Sequence, residues 1–193
     1  MADGTLKVGT ITTSSGSGTI TLGQSGETVN VVGTLQNGGT NFLQGITMAD
    51  QWRNTTDLTA DADPITTLER VDETSSGTIG TGMTESSGEF TFPTTGIYFI
   101  TIKAGFLADG DTNIGVYTYV DTGSGYDLYD VVEAGSQTGV TRCYGYGSLI
   151  LDVTNTSTHK IKFSAVGMSA GNIIFGNTNY NRTAFTFIRL GDT

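Results

Sequence analysis

An all-β head, a sandwich or barrel, preceded by a strand-and-turn arm is the architecture this sequence calls for, and three observations carry it. Gly (28), Thr (35) and Ser (14) make up two in every five of the 193 residues, while the hydrophobic set still reaches 36%. β-Branched Thr suits pleated surfaces and each Gly costs a helix about 1 kcal/mol, so a mostly helical protein is excluded. Aromatic and β-branched residues are spread along the chain. Their burial offsets the entropy of ordering, which excludes a disordered low-complexity polymer. From Phe42 onward, strand-like runs recur about every 10 to 15 residues, broken by Gly, Asp and Asn turns, as antiparallel strands of a sandwich or barrel require.

Taken in order, residues 1–40 are dominated by Gly, Thr, Ser and aliphatics, and Gly-Thr-Ile or Gly-Thr-Leu recurs at positions 9, 18 and 33. Alternations at Leu6 and Val8, Ile20 and Leu22, and Val29 and Val31 read as short strands between turns such as Ser14-Ser-Gly-Ser-Gly. This stretch has too few large apolar side chains for a core of its own. It is expected to order as an arm against the head, a second subunit or a partner surface. Asn37-Gly-Gly-Thr marks the boundary, giving an arm of 1–40 and a head of 41–193. In the head, Ile97-Tyr-Phe-Ile-Thr-Ile102 puts Tyr98, Ile100 and Ile102 on one face and Ile97 and Phe99 on the other. From Arg142 to Val153, Cys143, Leu149, Leu151 and Val153 share one face while Tyr144, Tyr146 and Ile150 share the other. An outer sandwich strand normally has one wet face, so two apolar faces point to a subunit interface on the second.

The counts remove most chemistry. One cysteine, Cys143, excludes an internal disulfide and a multi-cysteine zinc site. The one histidine, His159, sits in His159-Lys160-Ile161-Lys162 and reads as a solvated strand position rather than a catalytic base. A net charge of −10 argues against nucleic acid, whose phosphates need clustered Lys and Arg. No apolar run is long enough for a membrane helix. The start, Met1-Ala-Asp-Gly-Thr-Leu-Lys-Val, has no apolar stretch of signal-peptide length, so synthesis in the cytoplasm is expected.

The stretch Gly88-Glu-Phe-Thr-Phe-Pro-Thr-Thr-Gly-Ile-Tyr98 resembles the signature of the globular heads of the first complement component and their relatives in the tumour-necrosis-factor superfamily. Phe90, Gly96 and Tyr98 take the motif positions and Pro93 the turn between its strands, with Ile100 where a further aromatic would fall. Ile65 to Glu73 is similar to the family's earlier strand, Ser148 to Val153 and Lys160 to Ser164 to its paired late strands, and Thr183 to Leu190 to its closing strand. The resemblance covers 46–193 and implies a ten-stranded jelly-roll sandwich, assembled as a homotrimer with Ile97, Phe99, Tyr144, Tyr146 and Ile150 in the trimer interface or the core.

A jelly roll joined to a Gly-Thr-Ser arm, with no collagen-like stalk, in turn resembles structural proteins of tailed bacteriophages. That likeness implies a non-enzymatic virion component: a trimeric decoration, or cement, protein that stabilises a phage head as its arms grip the major capsid protein or another virion protein. The alternative is a tail-fibre or spike tip that binds a host surface glycan or receptor. Neither reading involves nucleic acid, a membrane or a cofactor.

Three groups of residues were weighed as sites. Asp109-Gly-Asp-Thr-Asn113 places oxygen ligands at the first, third and fifth positions, as a calcium loop begins, with Asp121 nearby. However, Ile114 stands where the loop needs Gly and Val120 where it needs Glu, so a hairpin turn is preferred over calcium at Asp109, Asp111 and Asn113. Asp50, Asp57, Asp61 and Asp63 invite a glycosidase reading, set against solvated acidic loops, which are preferred. Tyr117, Tyr119, Tyr126 and Tyr129 read as core or interface residues in preference to sugar-stacking platforms.

Overall fold

The computed structural model describes residues 25–26, 28–29, 31–33, 36–37, 40–41, 45–110, 113–136, 139–169 and 171–193. The chain divides into two units, Met1–Gln44 and Gly45–Thr193. In the first, strands β1 (Gln36–Asn37) and β2 (Thr40–Asn41) pair antiparallel with Asn37 opposite Thr40, straddling the Asn-Gly-Gly-Thr stretch. Val29 and Val31 belong to no strand and are exposed. The alternations at Leu6 and Val8 and at Ile20 and Leu22 lie outside the described residues.

The second unit is all β among its described residues, with two antiparallel sheets. Its strands are β3 (Met48–Asn54), β4 (Leu68–Arg70), β5 (Thr84–Ser86), β6 (Glu89–Thr91), β7 (Gly96–Asp109), β8 (Ile114–Thr122), β9 (Tyr126–Ala134), β10 (Val140–Val153), β11 (His159–Val166), β12 (Ile173–Ile174) and β13 (Ala184–Gly191). The front sheet runs β10-β7-β13-β3-β4 with β12 also on β7, and the back sheet runs β5-β6-β11-β8-β9. Successive strands keep crossing from one sheet to the other, which makes the sandwich a jelly roll.

Two details depart from expectation. Among its described residues this unit has eleven strands where ten were expected, the smallest being β12, whose Ile173 and Ile174 pair with Leu107 and Phe106 of β7. The late strands β10 and β11 are not partners. β10 pairs with β7 over all 14 of its residues, and β11 pairs with β6 and β8. The connection between them changes sheets, tightened by the Asn155 carbonyl accepting from the Thr158 and His159 amides.

Alternation produces the core. Tyr98, Ile100, Ile102, Ala104, Phe106 and Ala108 of β7 all point inward and are buried. Aromatic rings bridge the sheets: Phe163 of β11 stacks on Phe185 of β13 at 3.8 Å, and Phe90 of β6 lies 5.1 Å from Phe187 of β13 and 5.3 Å from Trp52 of β3. His159 belongs to this inward row with Ile161 and Phe163, and is buried at 6% exposure rather than solvated, with Nδ1 3.3 Å from the Thr158 hydroxyl. Its flanking lysines face outward, so the charged run misrepresents the histidine's side of the strand.

The motif positions have physical roles. Phe90 and Tyr98 are fully buried, and the Tyr98 hydroxyl donates to the Thr94 carbonyl at 2.8 Å, tying the strand to the Pro93 turn. Gly96 has φ of 143°, and a side chain there would collide with the Gly191 carbonyl and the Arg189 guanidinium. Gly145, on the inward face of β10, leaves room for Val132 of β9 to close the sandwich at that edge.

Candidate functional site

The outer face of the front sheet is where the chain is left unfinished. Register across it places Ile150 of β10, Phe99 of β7 and Ile188 of β13 in one row. Ser148, Thr101, Thr186 and Gln51 form the next row, then Tyr146, Lys103 and Ala184, then Tyr144 opposite Gly105. Ile97 and Phe99 are half-buried, whereas Tyr144, Tyr146 and Ile150 are 49%, 73% and 67% exposed, which places the last three outside the core. A groove of about 480 Å³ runs along the middle rows, lined by Gln51, Phe99, Lys103, Tyr146, Ser148 and Asn181. Gln51 donates to the Thr186 hydroxyl at 2.7 Å and accepts from the Asn181 amide at 2.6 Å. The buried Asn181 Oδ1 has no hydrogen-bond partner among the described residues.

Beyond the groove three cations converge. Lys103 Nζ donates to the Asn181 carbonyl at 2.8 Å and lies 5.1 Å above the Tyr144 ring. The Arg182 and Arg142 guanidiniums lie 3.8 and 5.4 Å from the centre of the buried Phe175 ring, whose amide donates to the Gly105 carbonyl.

The outer face of the back sheet is closed by contrast. Lys162 Nζ lies 2.7 Å from Asp63 and over the Tyr126 and Tyr119 rings at 4.6 and 5.4 Å. Lys160 reaches Glu89 at 3.3 Å, and the Tyr126 hydroxyl donates to the same carboxylate at 2.5 Å. Hydrogen bonds from Lys162 and Ser164 hold the Asp63 carboxyl below its usual range, and those from Tyr126 and Lys160 do the same for Glu89. Burial, then the Glu89 contact, push the Tyr126 phenol well above its ordinary value. Tyr117 donates to Glu133 at 2.5 Å. Tyr117, Tyr119 and Tyr126 are half-buried on this outer face and Tyr129 is exposed on β9, so none of the four is a core residue.

The acidic group does not assemble. Asp50 is a buried strand residue rather than a solvated loop residue, accepting from Arg70, from Trp52 Nε1 at 2.9 Å and from the Met83 amide at 2.8 Å. Asp57 accepts from the Gly176 amide, Asp61 from the Met168 amide and Asp63 from Ser164. Asp57, Asp61 and Asp63 are separate tethers for the segment between β3 and β4. In the calcium candidate, the Asp109 amide donates to Asn172, the Asn113 amide donates to Glu133 at 3.1 Å, and Asp111 lies outside the described residues. No group of three or more metal-ligating side chains occurs among the described residues. Asp121 accepts from the Gly123 and Gly125 amides, which lower its carboxyl, as a hairpin turn requires.

The sequence reading missed Arg53, fully buried on β3 and held by Glu69 at 2.6 Å, Asp72 at 2.8 Å and Glu73. It also missed the convergence of Lys103, Arg142 and Arg182, which only register and the loop before β13 bring together.

No protein-family model and no curated protein sequence matches the chain. Solved structures do. Murine APRIL at pH 8.0 is similar over 74% of this chain and 98% of its own, at 14% identity and a TM-score of 0.55. Eiger, a TNF from S. frugiperda, is similar over 77% of this chain and 96% of its own, at 11% identity and a TM-score of 0.60. The likeness is one of fold: the second unit is a TNF-like jelly roll.

Proposed function

We propose that this chain is a non-enzymatic structural protein whose head assembles as a homotrimer and whose N-terminal unit attaches it to a larger particle. The particle suggested by the sequence resemblance is a tailed-phage capsid, with the chain a decoration protein made in the host cytoplasm and carried in the virion. The observation that supports this reading is the exposed apolar outer face of the front sheet, where Phe99, Ile150 and Ile188 line up beside Ile97 and the exposed Tyr144 and Tyr146. Exposed apolar side chains of this kind on an acidic protein are stable in water when a second copy covers them, and closed cyclic symmetry covers them on every subunit. Asp50, Asp57, Asp61 and Asp63, the carboxylates weighed for glycan hydrolysis, are engaged separately as tethers and ion pairs. Arms acting together raise the effective concentration of weak individual contacts on the particle.

Sedimentation of the full chain, followed by binding to particles stripped of it, tests the reading. A trimer is expected, and a variant lacking residues 1–44 is expected to stay trimeric yet lose particle binding. A strictly monomeric chain sinks the proposal. A second reading, a fibre tip that takes a host glycan, draws on the Tyr119 and Tyr126 rings that flank Lys162 on the back sheet. Glycan-specific binding by the isolated head favours it over decoration.

A further inference from the structure

Arg53, Arg70, Lys160, Lys162 and Arg189 each have a carboxylate partner. Lys103, Arg142 and Arg182 have none among the described residues, and they gather around the Tyr144 and Phe175 rings. On a protein of net charge −10, three neighbouring cations without a counter-charge are a concentrated exception.

Their positions are fixed by the fold. Gly105 of β7 stands opposite Tyr144, whose ring lies 2.7 Å from where a Cβ on that glycine would be. The Arg182 carbonyl borders the same space at 3.3 Å. Lys103 Nζ sits over the Tyr144 ring and is anchored by the Asn181 carbonyl, while the Gly105 carbonyl accepts from the Phe175 amide. Phe175 is 3% exposed without belonging to the central core, and both guanidiniums lie against its ring. Cationic heads seated on rings in this way lose little freedom when an anion arrives. Of the acids on the same face, Asp152 lies at the far end opposite Ile97 and Asp109 lies against Gly171, so neither neutralises the cluster.

We propose that Lys103, Arg142 and Arg182 form a binding site for a doubly charged tetrahedral oxyanion of the phosphate or sulfate kind, and that the bound ion lets a second copy cover this face. Four oxygens allow one ion to meet two guanidinium forks and an ammonium together. A single carboxylate, with two oxygens and one charge, leaves most of the cluster unmatched, and a halide offers no paired acceptors. Extended polyanions are repelled by the acidic remainder of the surface. The link to assembly rests on the self-association proposed above, whereas the site itself does not. Covering the face takes the cluster out of water, and an uncompensated charge is costly to desolvate. An ion already in place removes that cost. A covering copy admits a small free ion and excludes an ester carried on a polymer.

Melting the full-length chain in about 10 mM sodium phosphate or sulfate, against sodium chloride of equal ionic strength, tests the site. Sedimentation velocity in the same buffers tests the link to assembly. Wild type is expected to melt about 2 °C or more higher with either oxyanion, and to associate about tenfold more tightly. Arg142 is exposed on β10, so Arg142→Gln is expected to fold, with circular dichroism as the check, and to lose both gains. Arg182→Gln is expected to do the same, while Lys160→Gln, which alters the back sheet, keeps them. Oxyanions excluded from the protein surface would raise every variant alike, so the contrast with Arg142→Gln isolates binding. Equal melting of wild type in oxyanion and chloride overturns the site, as does a gain that survives in both arginine variants. A melting gain without tighter association overturns the link to assembly and leaves the site. A chain monomeric in every buffer overturns self-association and that link, while the melting contrast still decides the site.

Discussion

The two outer faces of the sandwich are made from the same residue types and treated in opposite ways. On the back sheet, Lys160 and Lys162 are matched to Glu89 and Asp63, Tyr126 donates to Glu89, and Tyr117 donates to Glu133. On the front sheet, Lys103 reaches a backbone carbonyl and the Tyr144 ring, Arg142 and Arg182 rest on Phe175, and Tyr146 stands 73% exposed. A face whose charges are already neutralised gains little from a partner, since new pairs must first break old ones. One whose charges are held in place without counter-charges gains from any anion that arrives with apolar surface. The difference therefore separates a surface whose cations are paired within the chain from one whose cations have no carboxylate partner among the described residues.

The most severe way to break the comparison is to remove the platform under both faces. Phe163 of β11 stacks on Phe185 of β13, with Phe90 and Phe187 at 5.8 and 6.2 Å, so one ring couples the two sheets. Phe163→Ala is expected to cost about 3–5 kcal/mol of stability by cavity formation. Urea denaturation should show one cooperative transition shifted to lower concentration, because neither outer face survives without the other. Two separate transitions would mean that the sheets are stable independently and that their surfaces can be altered one at a time.

A smaller and sharper test sets one lysine against the other. Lys162→Met removes an ammonium that is 14% exposed, paired with Asp63 and seated over two rings, and is expected to cost about 1 kcal/mol. Lys103→Met removes a cation with no carboxylate partner, and its folding stability is expected to change by less than about 0.5 kcal/mol. Thermal melts of both variants check this, with self-association as the second readout. The order should reverse there: Lys103→Met weakens assembly and Lys162→Met does not. Equal effects in both assays would erase the distinction between the faces.

Much of this contrast is prepared locally and completed non-locally. Alternation in Ile97–Ile102 is enough to assign Tyr98, Ile100 and Ile102 to the core and Ile97 and Phe99 to the second face, because a strand's period admits no other arrangement. The positions of Phe90, Gly96 and Tyr98 are similarly local, since a turn, a positive φ and two buried rings act within a few residues. His159 could have been placed by the same period through Ile161 and Phe163, but its charged neighbours suggested water. Whether β10 and β11 pair or part depends on the turn between them, and a five-residue connection from Thr154 to Thr158 serves either outcome. Arg53 finds carboxylates 16 to 20 residues away, and Lys103, Arg142 and Arg182 meet only because β10 and the loop before β13 flank β7. No local pattern announces either one, because register across a sheet decides it.

The smallest expected effect is also the most specific to the closed face. Asp63 and Glu89 are both held below their usual ranges, Asp63 first by its bond from Lys162 and Glu89 first by its bond from Tyr126. A carboxyl depressed in the folded state adds stability above its unfolded pKa, about 3.9 for Asp and 4.3 for Glu, and loses it as pH falls through the lower folded value. The closed face should therefore contribute fully at neutral pH and fade below about pH 4. Other carboxyls, Asp121 and Glu133 among them, are depressed as well, so the raw acid melt cannot isolate Asp63. The difference between wild type and Lys162→Met can, because Lys162 is the leading cause of the Asp63 depression. That difference in melting temperature is expected to be largest at neutral pH and to shrink as Asp63 protonates. Lys103 donates to the Asn181 carbonyl and has no carboxylate partner among the described residues, so the corresponding difference for Lys103→Met should stay flat. A Lys162→Met difference that is also flat with pH would mean that its loss is one of packing over Tyr119 and Tyr126, and that the back face is closed by rings more than by charge.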